Sequence, residues 1–127
     1  MIYQFLLNKR KIIVTPLIRG KVEPVYFNFI VDTGAATTVI DKSVANMMGF
    51  DLYSNQESLI TAGGRVKTKS TKIPKIELFG KEIYNFEVSV IEFPVQFTIY
   101  ADGLIGMDFL QKLKQLKIDF ETKTIEV

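Results

Sequence analysis

The sequence predicts a mostly-β single domain with two short helices, and three observations carry that expectation. Short β-branched and aromatic runs bounded by turn residues recur along the whole chain. Signals for starting and stopping a helix coincide at only two places. The 127 residues suit one modest core, and no repeat, linker or low-complexity tract divides them.

The first expected strands are Ile2 to Leu7, Lys11 to Ile18 and Val25 to Val31. They are followed by Glu57 to Ala62, Val66 to Ile73, Lys75 to Leu78, Ile83 to Ile91 and Val95 to Tyr100. Arg19-Gly20-Lys21 and Phe79-Gly80-Lys81 read as hairpin tips, and Leu116 to Val127 as a closing hairpin turning at Glu121-Thr122-Lys123. Asp41 can cap a helix over Lys42 to Met48, which Gly49 stops. Asp108 can cap a second one through Leu113, with Phe109, Leu110 and Leu113 on one face.

Composition excludes several chemistries. With no cysteine there is no disulfide, thiol nucleophile or cysteine-bound metal. With no histidine, Ser-His and Cys-His catalysis and most zinc sites are ruled out as well. Acid-base chemistry is left to carboxylates, lysine or tyrosine, and no metal or other cofactor is expected. A net charge of +2 is too small to argue for nucleic acid, although basic residues gather at Lys9-Arg10-Lys11 and between Arg65 and Lys81. Solvated strand edges and hairpin tips are the plainer account of those clusters. No apolar stretch approaches the roughly 20 residues a bilayer span needs. The opening Met1 to Leu7 has its basic cluster after the apolar part and no small-residue cleavage site. The expectation is a cytoplasmic protein without a membrane partner.

One acidic residue stands apart. Asp32 follows the apolar run Val25 to Val31 and opens the turn Asp32-Thr33-Gly34-Ala35. A carboxylate rarely sits at the end of a buried strand unless it is paired or used. Peptide hydrolysis without metal, nucleophile or histidine needs a base to activate water and an acid to polarise the carbonyl. Two carboxylates a few ångströms apart, sharing one proton, do both. Gly34 lets the backbone turn tightly and bring amide donors close, and Thr33 offers a short hydroxyl. Ala35 keeps the approach open but gives the carboxylate no hydrogen bond, so activity is expected at mildly rather than strongly acidic pH. By itself the tripeptide is a moderate signal. Chance supplies it in roughly a few per cent of chains this long, and an Asp bonding its own backbone in a turn explains it equally well.

A second segment strengthens the case. Phe29 to Ile40 (FIVDTGAATTVI) and Asp102 to Leu110 (DGLIGMDFL) together resemble the two signatures of retropepsin-like aspartic proteases of the stand-alone, non-viral kind. The resemblance runs from about Lys11 to Val127. It implies the retropepsin-like acid-protease fold, closed barrel-like sheets with two short helices, in a homodimer. Residues 1–127 would form one protomer, with 1–10 as an N-terminal extension or interface strand. Asp32 of each protomer would supply the catalytic pair, Thr33 would brace the loop across the two-fold axis, and Gly34 would supply backbone. Leu104 and Ile105 would pack beneath the catalytic loop. Ser58 to Val66, with its tip Ala62-Gly63-Gly64, would be the flap that closes over substrate, though a plain surface turn reads equally well from those residues alone. The substrate would be an extended peptide lined by Ala35, Ala36, the flap tip, Leu104 and Ile105. Viral members usually carry an acidic residue after Asp-Thr-Gly-Ala and an arginine after the second glycine. Ala36 and Met107 stand there instead, so that pairing is absent.

With one Asp-Thr-Gly per chain, the dyad can form only at the axis of a homodimer. The termini, Met1 to Leu7 or Ile118 to Val127, are candidate interface strands because apolar edges invite pairing. Two rivals stand against an aspartic endopeptidase. One is an idle homodimer that binds peptides or scaffolds partners on this fold. The other is a monomer with a purely structural Asp32. The remaining carboxylates, including Asp51, Glu57, Glu77, Glu82, Glu87, Asp119 and Glu121, read as solvated faces, and Tyr26, Tyr84 and Tyr100 as core.

Overall fold

The computed structural model describes residues 1–61 and 64–127, of which 55–61 and 65–67 are described by backbone alone. The strands are β1 (Ile2–Gln4), β2 (Leu6–Asn8), β3 (Lys11–Val14), β4 (Leu17–Arg19), β5 (Val25–Tyr26), β6 (Phe29–Val31) and β7 (Val39–Asp41). Helix α1 (Lys42–Met48) leads into the long strands β8 (Tyr53–Thr61), β9 (Gly64–Leu78) and β10 (Lys81–Ile91). Then come α2 (Val95–Thr98), β11 (Gly103–Ile105), α3 (Met107–Leu110), β12 (Lys117–Asp119) and β13 (Thr124–Glu126).

Most strands join one sheet in the order β2-β3-β6-β11-β7-β10-β9-β4-β5, with β8 also paired to β9. A second, three-stranded sheet has the order β1-β13-β12, so it gathers both ends of the chain. The centre of the large sheet decides the site. β11 lies between β6, with which it is parallel through Leu104↔Ile30 and Ile105↔Val31, and β7, with which it is antiparallel through Leu104↔Val39. Being central, β6, β7 and β11 are almost wholly apolar, and Phe29, Ile40 and Ile105 are fully buried. The core continues through Ile18, Met48, Ile73, Ile76, Phe109 and Ile125. Phe86 meets Phe109 edge-on at 6.0 Å.

Helix α1 forms as its sequence predicts. Asp41 accepts the Ser43 N–H at 3.1 Å, and Gly49 ends the helix in the left-handed region at φ 70°. The second expected helix is shorter and differently begun. It runs Met107–Leu110 with Gly106 as its cap, and Asp108 lies inside the first turn, engaged elsewhere.

One expected strand is a helix. Val95 to Tyr100 was expected to be extended, but Pro94 at φ −54° starts the turn α2, and Phe97 and Thr98 donate back to its carbonyl. The apolar spacing explains it. Phe97, Tyr100 and Ala101 share one face against Ile13 and Ile30, while Val95 and Ile99 stay exposed. That is helical periodicity, not alternation.

Other differences are of extent. Ile2 to Leu7 breaks at Phe5, which turns into the core and donates to the Lys123 carbonyl. Lys11 to Ile18 breaks at Thr15-Pro16, and Val25 to Val31 at Phe27-Asn28. Conversely, β9 runs unbroken through Pro74: the ladder with β10 skips the pair Pro74–Asn85, and Asn85 adopts φ 51°. Among the described residues no helix is long and apolar enough to cross a membrane.

Candidate active site

The Asp32 loop hangs between the ends of β6 and β7, directly beside β11. The Asp32 N–H donates to the Ile105 carbonyl at 2.9 Å, which extends the β6–β11 ladder by one residue. Its carboxylate Oδ1 accepts the Gly34 N–H at 2.9 Å, and the Ala35 N–H reaches the Asp32 carbonyl at 3.2 Å. Among the described residues the other carboxylate oxygen has no partner within its own chain. Asp32 is half-buried, while Thr33 and Gly34 are exposed. One oxygen is therefore held by the loop and the other is left free to meet something from outside.

The loop is tied down from behind. The Met107 N–H donates to the Ala35 carbonyl at 2.8 Å, and the Asp108 N–H to the Ala36 carbonyl at 3.1 Å. Thr38, fully buried, donates its hydroxyl to Asp108 Oδ1 at 2.7 Å and accepts the Gly106 N–H at 3.1 Å. Asp108 also accepts the Thr38 N–H at 2.9 Å and the Phe109 N–H at 2.8 Å. These bonds join the two segments that an acid–arginine pair after each signature would have joined. Ala36 and Met107 themselves contribute only backbone to these ties.

Gly106 is required by closeness. A Cβ there would lie 2.6 Å from the Thr37 carbonyl carbon and oxygen and 2.9 Å from the Ala35 oxygen, all backbone atoms. Two further carboxylates, at the other end of β6 and β11 from Asp32, are spent on structure. Asp102 Oδ2 accepts the Asn28 N–H at 3.0 Å. Asp41, buried, takes the Phe93 N–H on Oδ1 at 2.7 Å and both the N–H and hydroxyl of Ser43 on Oδ2.

The sequence decides the family and the structure the fold. The sequence profile of the family described as "Aspartyl protease" matches residues 16–109. The chain belongs to that family. Its fold is similar to a retropepsin-like aspartic protease from Rickettsia conorii, with a TM-score of 0.72 and 23% identity over 98% of this chain and 88% of the other. It is similar to the EIAV protease in complex with an inhibitor, with a TM-score of 0.68 and 24% identity over 87% of this chain and 95% of the other. The retroviral protease-like domain of Ddi1 from Leishmania major gives 0.56 and 23%, over 91% of this chain and 86% of the other. A search of curated proteins by sequence finds no match. The fold is therefore retropepsin-like.

Within this chain, Leu104 is half-buried against the cluster of Ile13, Ile30 and Ala101, and Ile105 is fully buried and touches the loop through its carbonyl. Ala35 is half-buried and Ala36 exposed. Of the expected flap tip, Ala62 and Gly63 lie outside the described residues. Gly64 opens β9, exposed and at φ 107°, in the pair Thr61↔Gly64. Thr38 was missed as a support, and Asp41 was read only as a helix cap although it also holds the Phe93 N–H. Asp108 was noticed for capping, whereas it serves the loop.

Proposed function

We propose that this chain is one half of an aspartic endopeptidase whose active site forms when two copies meet with their Asp32 loops face to face. The observation that carries the reading is the state of Asp32: one oxygen anchored by its own loop, the other unpartnered, at the end of a central strand in an aspartyl protease fold. Asp41, Asp102 and Asp108 are each committed to backbone donors of the protomer, so the second carboxylate comes from a second copy. The two-fold axis then supplies an identical Asp32.

The chemistry follows from a shared proton. The ionised Asp32 takes a proton from a water between the carboxylates while the protonated partner donates to the scissile carbonyl oxygen. Water oxygen bonds to the carbonyl carbon, giving a tetrahedral diol. A proton then passes to the amide nitrogen, the C–N bond breaks, and an acid and an amine leave. Thr33, whose hydroxyl has no partner in the protomer among the described residues, braces the loop against its copy. The β8–β9 hairpin is the flap, and substrate adds to it as an extended strand.

The free edges narrow the interface. β13 is paired on both sides within its own chain, so among the terminal strands the edges open to a second copy are those of β1, β12 and β2. Exposed Ile2 and Leu6 on β1 and β2, with Phe120 just past β12, make those edges apolar.

The test is cleavage of a proteome-derived peptide library between about pH 4 and 7, wild type beside Asp32→Asn. Asn keeps the shape but cannot act as base or share the proton, so a loss of roughly four or more powers of ten in kcat/KM is expected. Cuts absent from the variant support the endopeptidase. An absence of Asp32-dependent cuts at dimer-forming concentrations would instead support the idle peptide-binding dimer.

A further inference from the structure

Beside the catalytic loop stands a basic hairpin that the reaction does not use. β2 and β3 pair through Asn8↔Lys11, and Lys9 and Arg10 turn between them at φ 46° and 64°. Two successive positive φ values define a tight hairpin turn. β3 pairs antiparallel with β6 through Ile13↔Ile30 and Val14↔Phe29. Continued by two residues, that register brings Lys11 level with Asp32, and the tip extends roughly 7 Å of strand further. The run Lys9-Arg10-Lys11 is thus delivered to the end of the sheet that carries Asp32.

These cations lack an acid of their own. The Lys9 and Lys11 ammonium groups lie 5.1 and 5.6 Å from the centre of the Tyr100 ring. The aromatic face holds both, although like charges gathered on one ring repel each other until an anion joins them. Among the described residues no carboxylate pairs with Lys9, Arg10 or Lys11, whereas Arg19, Lys21 and Lys117 each have one and Lys75 has two.

We propose that the β2–β3 hairpin tip is a substrate subsite for acidic side chains, which makes acid-flanked peptide segments the preferred substrates. The proposal rests on reading Asp32 as half of a peptidase dyad. Backbone pairing of an extended substrate is nearly blind to side chains, so selection needs a separate contact such as this one. At about 3.3 Å per residue, the tip is reached by side chains roughly two to four residues from the scissile bond. The two-fold axis places one hairpin on each side, so the preference appears on both flanks.

The experiment compares peptides that are identical except for Glu or Gln at those positions. For the wild type, kcat/KM is expected to be about fivefold higher for each Glu flank, the size of an exposed ion pair. That advantage should shrink as salt rises from about 20 to 500 mM. Lys9→Asn with Arg10→Gly and Lys11→Thr keeps a favourable turn while removing the charge, and should abolish the advantage. Lys11→Glu should reduce or reverse it. The same labelled peptides are titrated by fluorescence anisotropy into Asp32→Asn protein, which needs no turnover. Equal rates on Glu and Gln peptides with Asp32-dependent cleavage intact would overturn the subsite and leave the peptidase standing. Charge-dependent binding without any Asp32-dependent cleavage would overturn the peptidase, and with it the substrate role, and leave the tip as a binding site for acidic peptides. If the charge-free variant loses only retention on a nucleic-acid column, the hairpin serves a polyanion and the proposal fails.

Discussion

Replacing Thr38 with valine should destabilise the protomer more than replacing it with serine, against the usual expectation for a buried position leading into a strand. Valine keeps the shape and removes the hydroxyl that joins the two signature segments. The Gly106 N–H, 3.1 Å from that hydroxyl and buried, is left without an acceptor, at about 1–3 kcal/mol. Asp108 loses its 2.7 Å hydroxyl donor but keeps the Thr38 and Phe109 amides. With water able to reach the half-buried carboxylate, that loss is about 1 kcal/mol. Sparing the hydroxyl its desolvation returns about 1 kcal/mol, so the net cost is about 2 kcal/mol. Serine keeps both bonds and loses one methyl, about 0.8 kcal/mol. Against a typical total of about 5–15 kcal/mol both variants fold. Urea unfolding at one fixed protein concentration measures the difference, since dimerisation would otherwise shift the midpoint. A Thr38→Val protein as stable as Thr38→Ser would refute the idea that this hydroxyl holds the loop.

Two other perturbations test the frame around the site. Gly106→Ala places a methyl 2.6 Å from Thr37 backbone atoms, and because backbone cannot swing aside the cost should be about 3 kcal/mol; an alanine variant with an unchanged urea midpoint would contradict the close approach. Glu77 is held below its ordinary carboxylate value chiefly by its hydrogen bond from Lys75, at 2.9 Å, with Arg19 adding to it. A depressed carboxyl stabilises the fold above its ordinary value of 4.5 and loses that contribution as pH falls through the lower folded value. The stability gap between wild type and Glu77→Gln should therefore narrow on going from pH 7 to about pH 3, and a gap that stays constant across that range would sink the linkage.

The candidate site was legible in the sequence wherever it is built from residues close together in the chain. Asp32-Thr33-Gly34 carries its own turn, with the Gly34 amide on the Asp32 carboxylate, because that bond spans only two residues. The Asp41 cap and Gly49 stop were legible for the same reason. The strand-rich class followed from composition, since β-branched and aromatic runs between turns have few other ways to bury themselves.

Features that join distant parts of the chain were not legible. Thr38 and Asp108 are 70 positions apart, and nothing in either segment says that one hydroxyl and one carboxylate meet. Asp108 looked like a cap because Asp often is one, and the competing donors from Thr38 became visible only once β11 was placed between β6 and β7. Val95 to Tyr100 has strand-like composition, yet the apolar patch of Ile13 and Ile30 selects the face on which Phe97, Tyr100 and Ala101 coincide, so it coils. By itself, then, the sequence determined the strand-rich class, the Asp-Thr-Gly motif and the absence of histidine and thiol chemistry. The tertiary structure alone decided which buried groups support Asp32 and that Lys11 comes level with it, because register and burial arise from contacts between segments and are written in no single one of them.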